Sequence, residues 1–123
     1  MTIAYWCVLA AAVFPYVFTI FAKSAGRYNN HAPRDYLAKL EGVHKRANWV
    51  QMNSFEAFPP FAAAVIIAHL AQANQNTVDM LAVAFLVCRT LYGIAYLADQ
   101  AALRSVIWFA GLGCVVGLFV SAA

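Results

Sequence analysis

From Met1 to Ala22 the chain carries no charged side chain. A helix over Ile3–Ala22 would span the hydrocarbon of a bilayer, which takes about 20 residues at 1.5 Å each. Few folds accommodate such a segment. One alternative is a cleaved leader, but no basic stretch precedes it and it is longer than the apolar part of a leader, so it reads as a retained helix. Three more segments reach a similar length, about 47–73, 77–98 and 102–122. Composition agrees, with 64% apolar residues and 13 charged ones, eight basic and five acidic. A soluble domain of this size would carry roughly thirty charges, at about 25%. The scarcity excludes a disordered chain and argues against a water-soluble globule. A net charge of only +3 offers no footprint for a nucleic-acid partner. The reading is an all-α, integral-membrane four-helix bundle in contact with membrane lipids.

Eight of the 13 charges fall between Lys23 and Arg46, six of them basic. The second half of this loop spaces Tyr36, Leu37, Leu40 and Val43 as on a helix. It is expected to extend the second helix from Pro33 outward as an amphipathic stretch, giving helices over about 3–22, 34–73, 77–98 and 102–122 of one domain covering 1–123. Pro59 and Pro60 should bend the second helix near Phe58. The other connections, 74–76 and 99–102, are short. By the positive-inside rule the basic loop 23–46 is cytoplasmic and both termini lie outside. In the last helix, Gly113 and Gly117 form a small-xxx-small pair suited to close helix packing.

Ionisable groups at bilayer depth are costly and face a bundle interior or a wet cavity. Glu56 is ten residues beyond Arg46, roughly 15 Å deep at the helical rise. Arg89 is nine residues before Ala98 on an antiparallel neighbour, roughly 13 Å deep by the same rise. An ion pair between them is therefore expected. Arg46, Trp49, Asn53, Glu56 and Pro60 recur at spacings of three and four along one face, as do Arg89, Tyr92 and Tyr96 on the third helix. With Arg104 opening the fourth helix, these residues predict a polar stripe descending from the cytoplasmic surface to mid-membrane. A pair that only stapled the bundle would not need the accompanying asparagine, tyrosines and arginines.

These residues resemble a known family. Arg46-Ala-Asn-Trp-Val-Gln-Met-Asn53-Ser-Phe-Glu56, followed by Pro59-Pro60-Phe61, is similar to the helix-two signature of the MAPEG family (membrane-associated proteins in eicosanoid and glutathione metabolism). Arg89-Thr-Leu-Tyr92-Gly-Ile-Ala-Tyr96-Leu is similar to its helix-three signature, and Arg104 falls near its helix-four arginine. The resemblance, closest to bacterial members and so to an inner-membrane location, implies a homotrimer with glutathione between neighbouring protomers. Carried over by position, Arg46, Gln51, Asn53, Glu56, Arg89, Tyr92 and Tyr96 would hold the tripeptide, and Arg104 would be the catalytic group facing its thiol. The implied activity is a glutathione-dependent transferase or peroxidase acting on lipophilic electrophiles or lipid hydroperoxides. Two departures stand out. Characterised mammalian members carry a further arginine where this chain has Trp49 or Met52, and the gap from Tyr96 to Arg104 differs by about one residue.

Two other functions compete. A small proton-coupled multidrug transporter would also use four helices and an intramembrane Glu, but in helix one and with short loops, whereas Glu56 lies in helix two after a 24-residue loop. A non-catalytic scaffold of the same fold would bind no glutathione. His31, His44 and His69 are scattered over both membrane faces and suggest no metal site. Cys7, Cys88 and Cys114 are odd in number and lie in apolar runs, so they read as small buried hydrophobes rather than a disulfide framework. No phosphate loop, zinc motif or serine-nucleophile motif is present.

Overall fold

The computed structural model describes residues 1–123 and contains five helices and no strand: α1 (Ile3–Lys23), α2 (Pro33–Ala38), α3 (Gly42–Leu70), α4 (Gln75–Leu97) and α5 (Ala101–Ser121). α3 and α4 touch each other and both outer helices, and α1 packs chiefly on α3 and α5 chiefly on α4. Three helices, α1, α4 and α5, are long and apolar enough to cross a membrane. α3 is longer, at 29 residues, but carries the polar residues of the site.

The core is built from small residues that let the helices approach. Ala4, Cys7 and Ala11 of α1 meet Phe61, Ala64 and Ala68 of α3, and Phe61 stacks on Phe85 of α4 with ring centroids 4.0 Å apart. Gly93 is required by such an approach, because a β-carbon there would lie 2.4 Å from the Phe18 ring. Outside the core the surface is apolar. Trp6, Leu9, Val13 and Val17 form an exposed stripe along α1, and only 17% of the most apolar window of α5 is buried. Such surfaces suit lipid or further subunits, not water.

The expected continuous helix over 34–73 is corrected. Its first part is the separate α2, with Pro33 at the first position, Ala38 at the last and Lys39 as the C-cap. Leu40 then turns inward against Ala22 and Ala47, Glu41 is extended, and Gly42 takes a left-handed φ of +62° that a running helix does not contain. Tyr36 likewise faces the protein, its hydroxyl donating to the Gly26 carbonyl at 2.8 Å. α3 continues unbroken through Pro59 and Pro60 and ends at Leu70, where the Ala73 amide donates to the Ala68 carbonyl and Gln72 adopts a left-handed φ of +56°. α4 starts at Gln75, two residues earlier than expected, because the Asn74 side chain accepts from the Thr77 amide at 3.1 Å. The small residues of α5 that meet α4 are Gly111 and Gly117; Gly113 has no neighbour within 4 Å of its would-be β-carbon.

This topology gathers the basic loop, the start of α3, the end of α4 and the start of α5 at one end. Arg46 fastens that end by donating from Nε to the Leu97 carbonyl at 3.2 Å. At the other end the Ala4 amide donates to Asp79 Oδ1 at 2.9 Å, tying the start of α1 to α4.

Candidate functional site

Three adjoining clefts run along the α3–α4–α5 face, and Asn53 and Tyr92 line all of them. The outermost, of about 320 Å³, lies between Trp49, Glu56 and Tyr96, and a second, of about 290 Å³, reaches Arg104 and Trp108. The deepest, about 170 Å³, passes Glu56 and Arg89 and ends among Phe85, Ile107, Leu112 and Val115. The groove is therefore polar toward the basic loop and apolar toward the middle of the helices.

Helical spacing makes the polar wall. Trp49, Asn53, Glu56 and Pro60 rise along one face of α3, and Arg89, Tyr92 and Tyr96 along one face of α4. Their side chains form a ladder of cations and rings. Lys45 Nζ is 5.5 Å from the Trp49 ring centre, Trp49 is 6.2 Å from Tyr96, and the Arg104 guanidinium lies 4.4 Å over Tyr96. Tyr96 meets Tyr92 edge to face at 5.6 Å, and the Arg89 guanidinium lies 4.3 Å over Tyr92. Each ring gives its neighbouring cation an attractive face without neutralising it.

Arg89 is the most constrained member, at 5% exposure. Its Nη2 donates to Asn53 Oδ1 at 2.9 Å and to Ser54 Oγ at 3.0 Å. The expected ion pair with Glu56 is not formed, and the only side-chain ion pair within 4.0 Å is Lys39–Asp35 in α2. Matching depth did not settle the rotation of α3, which turns Asn53 and Ser54 to the guanidinium and leaves Glu56 exposed on the groove. The Nε of Arg89 is the one buried side-chain nitrogen or oxygen with no hydrogen-bond partner. A buried cation whose partners are all neutral is expensive, by several kcal/mol before compensation.

Of the residues predicted from sequence, Asn53, Glu56, Arg89, Tyr92, Tyr96 and Arg104 come together on this groove. Arg46 lines none of the three clefts; its Nε donates to the Leu97 carbonyl at the same end of the bundle. Gln51 does not join them. It is buried on the side of α3 toward α1, hydrogen-bonded to Thr19 and donating to Asn48 Oδ1 at 2.8 Å. It lines a different cleft, of about 480 Å³, with Arg34 and Met52. Sequence reasoning missed Ser54 and Asn48, both buried. Ser54 lies one residue off the predicted stripe, and the only available signal was that a buried guanidinium needs more than one acceptor.

The sequence model of the MAPEG family matches residues 3–123, nearly the whole length. The chain belongs to the MAPEG family. It is accordingly a helical membrane protein, from a family that includes glutathione transferases and peroxidases. A search of the curated proteins returned no match.

Proposed function

We propose that this MAPEG protein is a glutathione-dependent transferase or peroxidase acting on lipophilic electrophiles or lipid hydroperoxides. The observation that carries the reading is the charge arrangement of the groove. Two guanidiniums, Arg89 and Arg104, flank one exposed carboxylate, Glu56, and Arg89 keeps a buried donor unpaired. Glutathione is complementary to this, with two carboxylates for the guanidiniums and tyrosine hydroxyls and one ammonium for Glu56. Asn53, Tyr92 and Tyr96 would complete the hold on the tripeptide, and Arg46 would join them from the same end of the bundle. In the homotrimer that the family resemblance implies, with glutathione between protomers, Gln51 on the other side of α3 would serve the groove of a neighbouring copy.

In this reading Arg104 stabilises the thiolate. A free thiol has a pKa of about 8.5, and a nearby cation favours the nucleophilic anion. Arginine stays protonated, so the contribution is electrostatic and not that of a base. The apolar end of the groove, at Phe85, Ile107 and Leu112, would take the lipophilic partner. Leu112 is 41% exposed on the outer surface, so that partner would enter sideways from the bilayer. The basic loop 23–46 would be cytoplasmic, with all four long helices crossing a bacterial inner membrane. Calorimetry with glutathione in detergent tests the binding. Conjugation of a chlorinated aromatic acceptor by Arg104→Ala tests the chemistry, where turnover should fall about a hundredfold, as when one preorganised charge-stabilising group is removed. Unchanged turnover would remove Arg104 from the mechanism, and absent binding would leave the scaffold reading.

A further inference from the structure

Arg89 has two edges, and only one of them faces the groove. A guanidinium is planar, and its Nε–H points the same way as one of the two Nη2 hydrogens, while the other Nη2 hydrogen points with Nη1. Nη2 donates to Asn53 Oδ1 at 2.9 Å and to Ser54 Oγ at 3.0 Å, so each acceptor takes one edge of the plane. Asn53 lines the groove, whereas Ser54 is buried and lines none of its three clefts. The edge with the buried Nε is therefore the one on the Ser54 side. On that side α1, α3 and α4 border a separate chamber of about 10 Å³, lined by Ser54, Arg89 and Ala11 among aromatic and aliphatic side chains. Ala11 brings a third polar group. Pro15, four residues further along α1, has no N–H, so the Ala11 carbonyl receives no hydrogen bond from the usual helical donor. Ala11 is buried, so bulk water does not replace that donor.

We propose that this chamber is a binding site for one structural water, which accepts from Arg89 Nε–H and donates to the Ala11 carbonyl and to Ser54 Oγ. Three partners are the usual number for a buried water, and the chamber sits at the lower bound of the room one needs, roughly 10–15 Å³. The same volume excludes a carboxylate. The donor set also argues against a small anion, which accepts hydrogen bonds only and would be repelled by two of the three groups, whereas a water has two hydrogens for two oxygens. The guanidinium plane is then held on both edges, by Asn53 toward the groove and by the water toward α1. The water makes the bend at Pro15 part of the mounting of Arg89, a positioning role for α1 in a site that α1 does not line. It satisfies a donor without neutralising a charge, so Arg89 keeps its attraction for a carboxylate that reaches it from the groove. None of this depends on the proposed glutathione chemistry.

Nuclear magnetic resonance on the nitrogen-labelled full-length protein, in detergent and without glutathione, tests the site. The Arg89 Nε–H signal is the one lost in Arg89→Lys. It should show a through-space cross-peak to water, with the sign of a proton pair that tumbles together with the protein. Ala11→Val places a larger side chain at the chamber wall and should abolish that cross-peak. Pro15→Ala returns a helical N–H to the Ala11 carbonyl and should weaken it, and a thermal melt shows that each variant is folded. No cross-peak in the unaltered protein, or an unchanged one in the folded variants, would overturn the proposal. So would an anomalous peak beside Nε in crystals soaked in bromide, because the ligand would then be an anion. Added glutathione should leave the cross-peak in place; its loss would hand Nε to the tripeptide and remove the water. A cross-peak in a protein that binds no glutathione would leave the water standing while refuting the transferase reading.

Discussion

Asp79 and Arg89 lie ten residues apart on α4 and are its two charged residues. Their surroundings are opposite. Asp79 Oδ1 accepts from the Ala4 amide at 2.9 Å and from Gln75 Nε2 at 2.7 Å, so the carboxylate is spent on tying α1 to α4. Arg89 is more deeply buried, has only neutral partners and leaves Nε unmatched. The contrast separates a charge matched within the fold from a buried charge left without a charged partner. A buried polar group is normally satisfied within the protein, and this exception is the feature on which the proposed glutathione binding rests.

The largest test of this contrast is Arg89→Met. Removing the cation should weaken glutathione binding by about 3 kcal/mol, roughly a hundredfold, as for truncation of one partner of a buried charge pair. Thermal stability should hold or rise, because replacing an uncompensated buried ion by an apolar chain of similar length is often neutral or favourable. Calorimetry and a thermal melt on the same sample decide it, and a large loss of stability would make Arg89 an assembly residue like Asp79.

Gly93→Ala, one turn from Arg89, should lower stability by about 2 kcal/mol through overpacking, since its β-carbon would meet the Phe18 ring at 2.4 Å. Chemical denaturation in detergent reads this directly, and no loss would mean that α1 and α4 are looser here than the contact implies. Asp79→Asn should cost about 1 kcal/mol, the scale of one weakened hydrogen bond, and leave glutathione affinity unchanged. Altered affinity would break the contrast from the other side. Smallest is Lys39→Ala, where loss of the exposed i,i+4 pair with Asp35 at 3.0 Å should move stability by no more than about 0.5 kcal/mol.

Much of the groove is legible in the sequence because helical spacing is local. Asn53 and Glu56 had to share a face of α3, and Arg89, Tyr92 and Tyr96 a face of α4, whatever the helices packed against. Spacing says nothing of how far one helix is rotated against its neighbour. That rotation gave Arg89 to Asn53 and Ser54 instead of Glu56, and it separated Gln51 from the groove by turning it toward Thr19. The break between α2 and α3 was hidden for a related reason. The periodic Leu40 suggested a continuing helix, but its burial against Ala22 and Ala47 is a long-range contact that outweighs local pattern.

By itself, then, the sequence determined that the chain is helical and membrane-embedded, because long uncharged stretches have few other stable environments. It also placed the few intramembrane charges along helix faces and carried the MAPEG signature across residues 3–123. Tertiary structure alone decided which charge is satisfied and which is not, because that depends on side chains far apart in sequence. It also decided that Cys88, read from sequence as a small buried hydrophobe, lines the deep end of the groove. Gly111 of α5 comes close to it, a β-carbon there standing 3.6 Å from Cys88 Cβ, a contact between residues 23 apart in sequence.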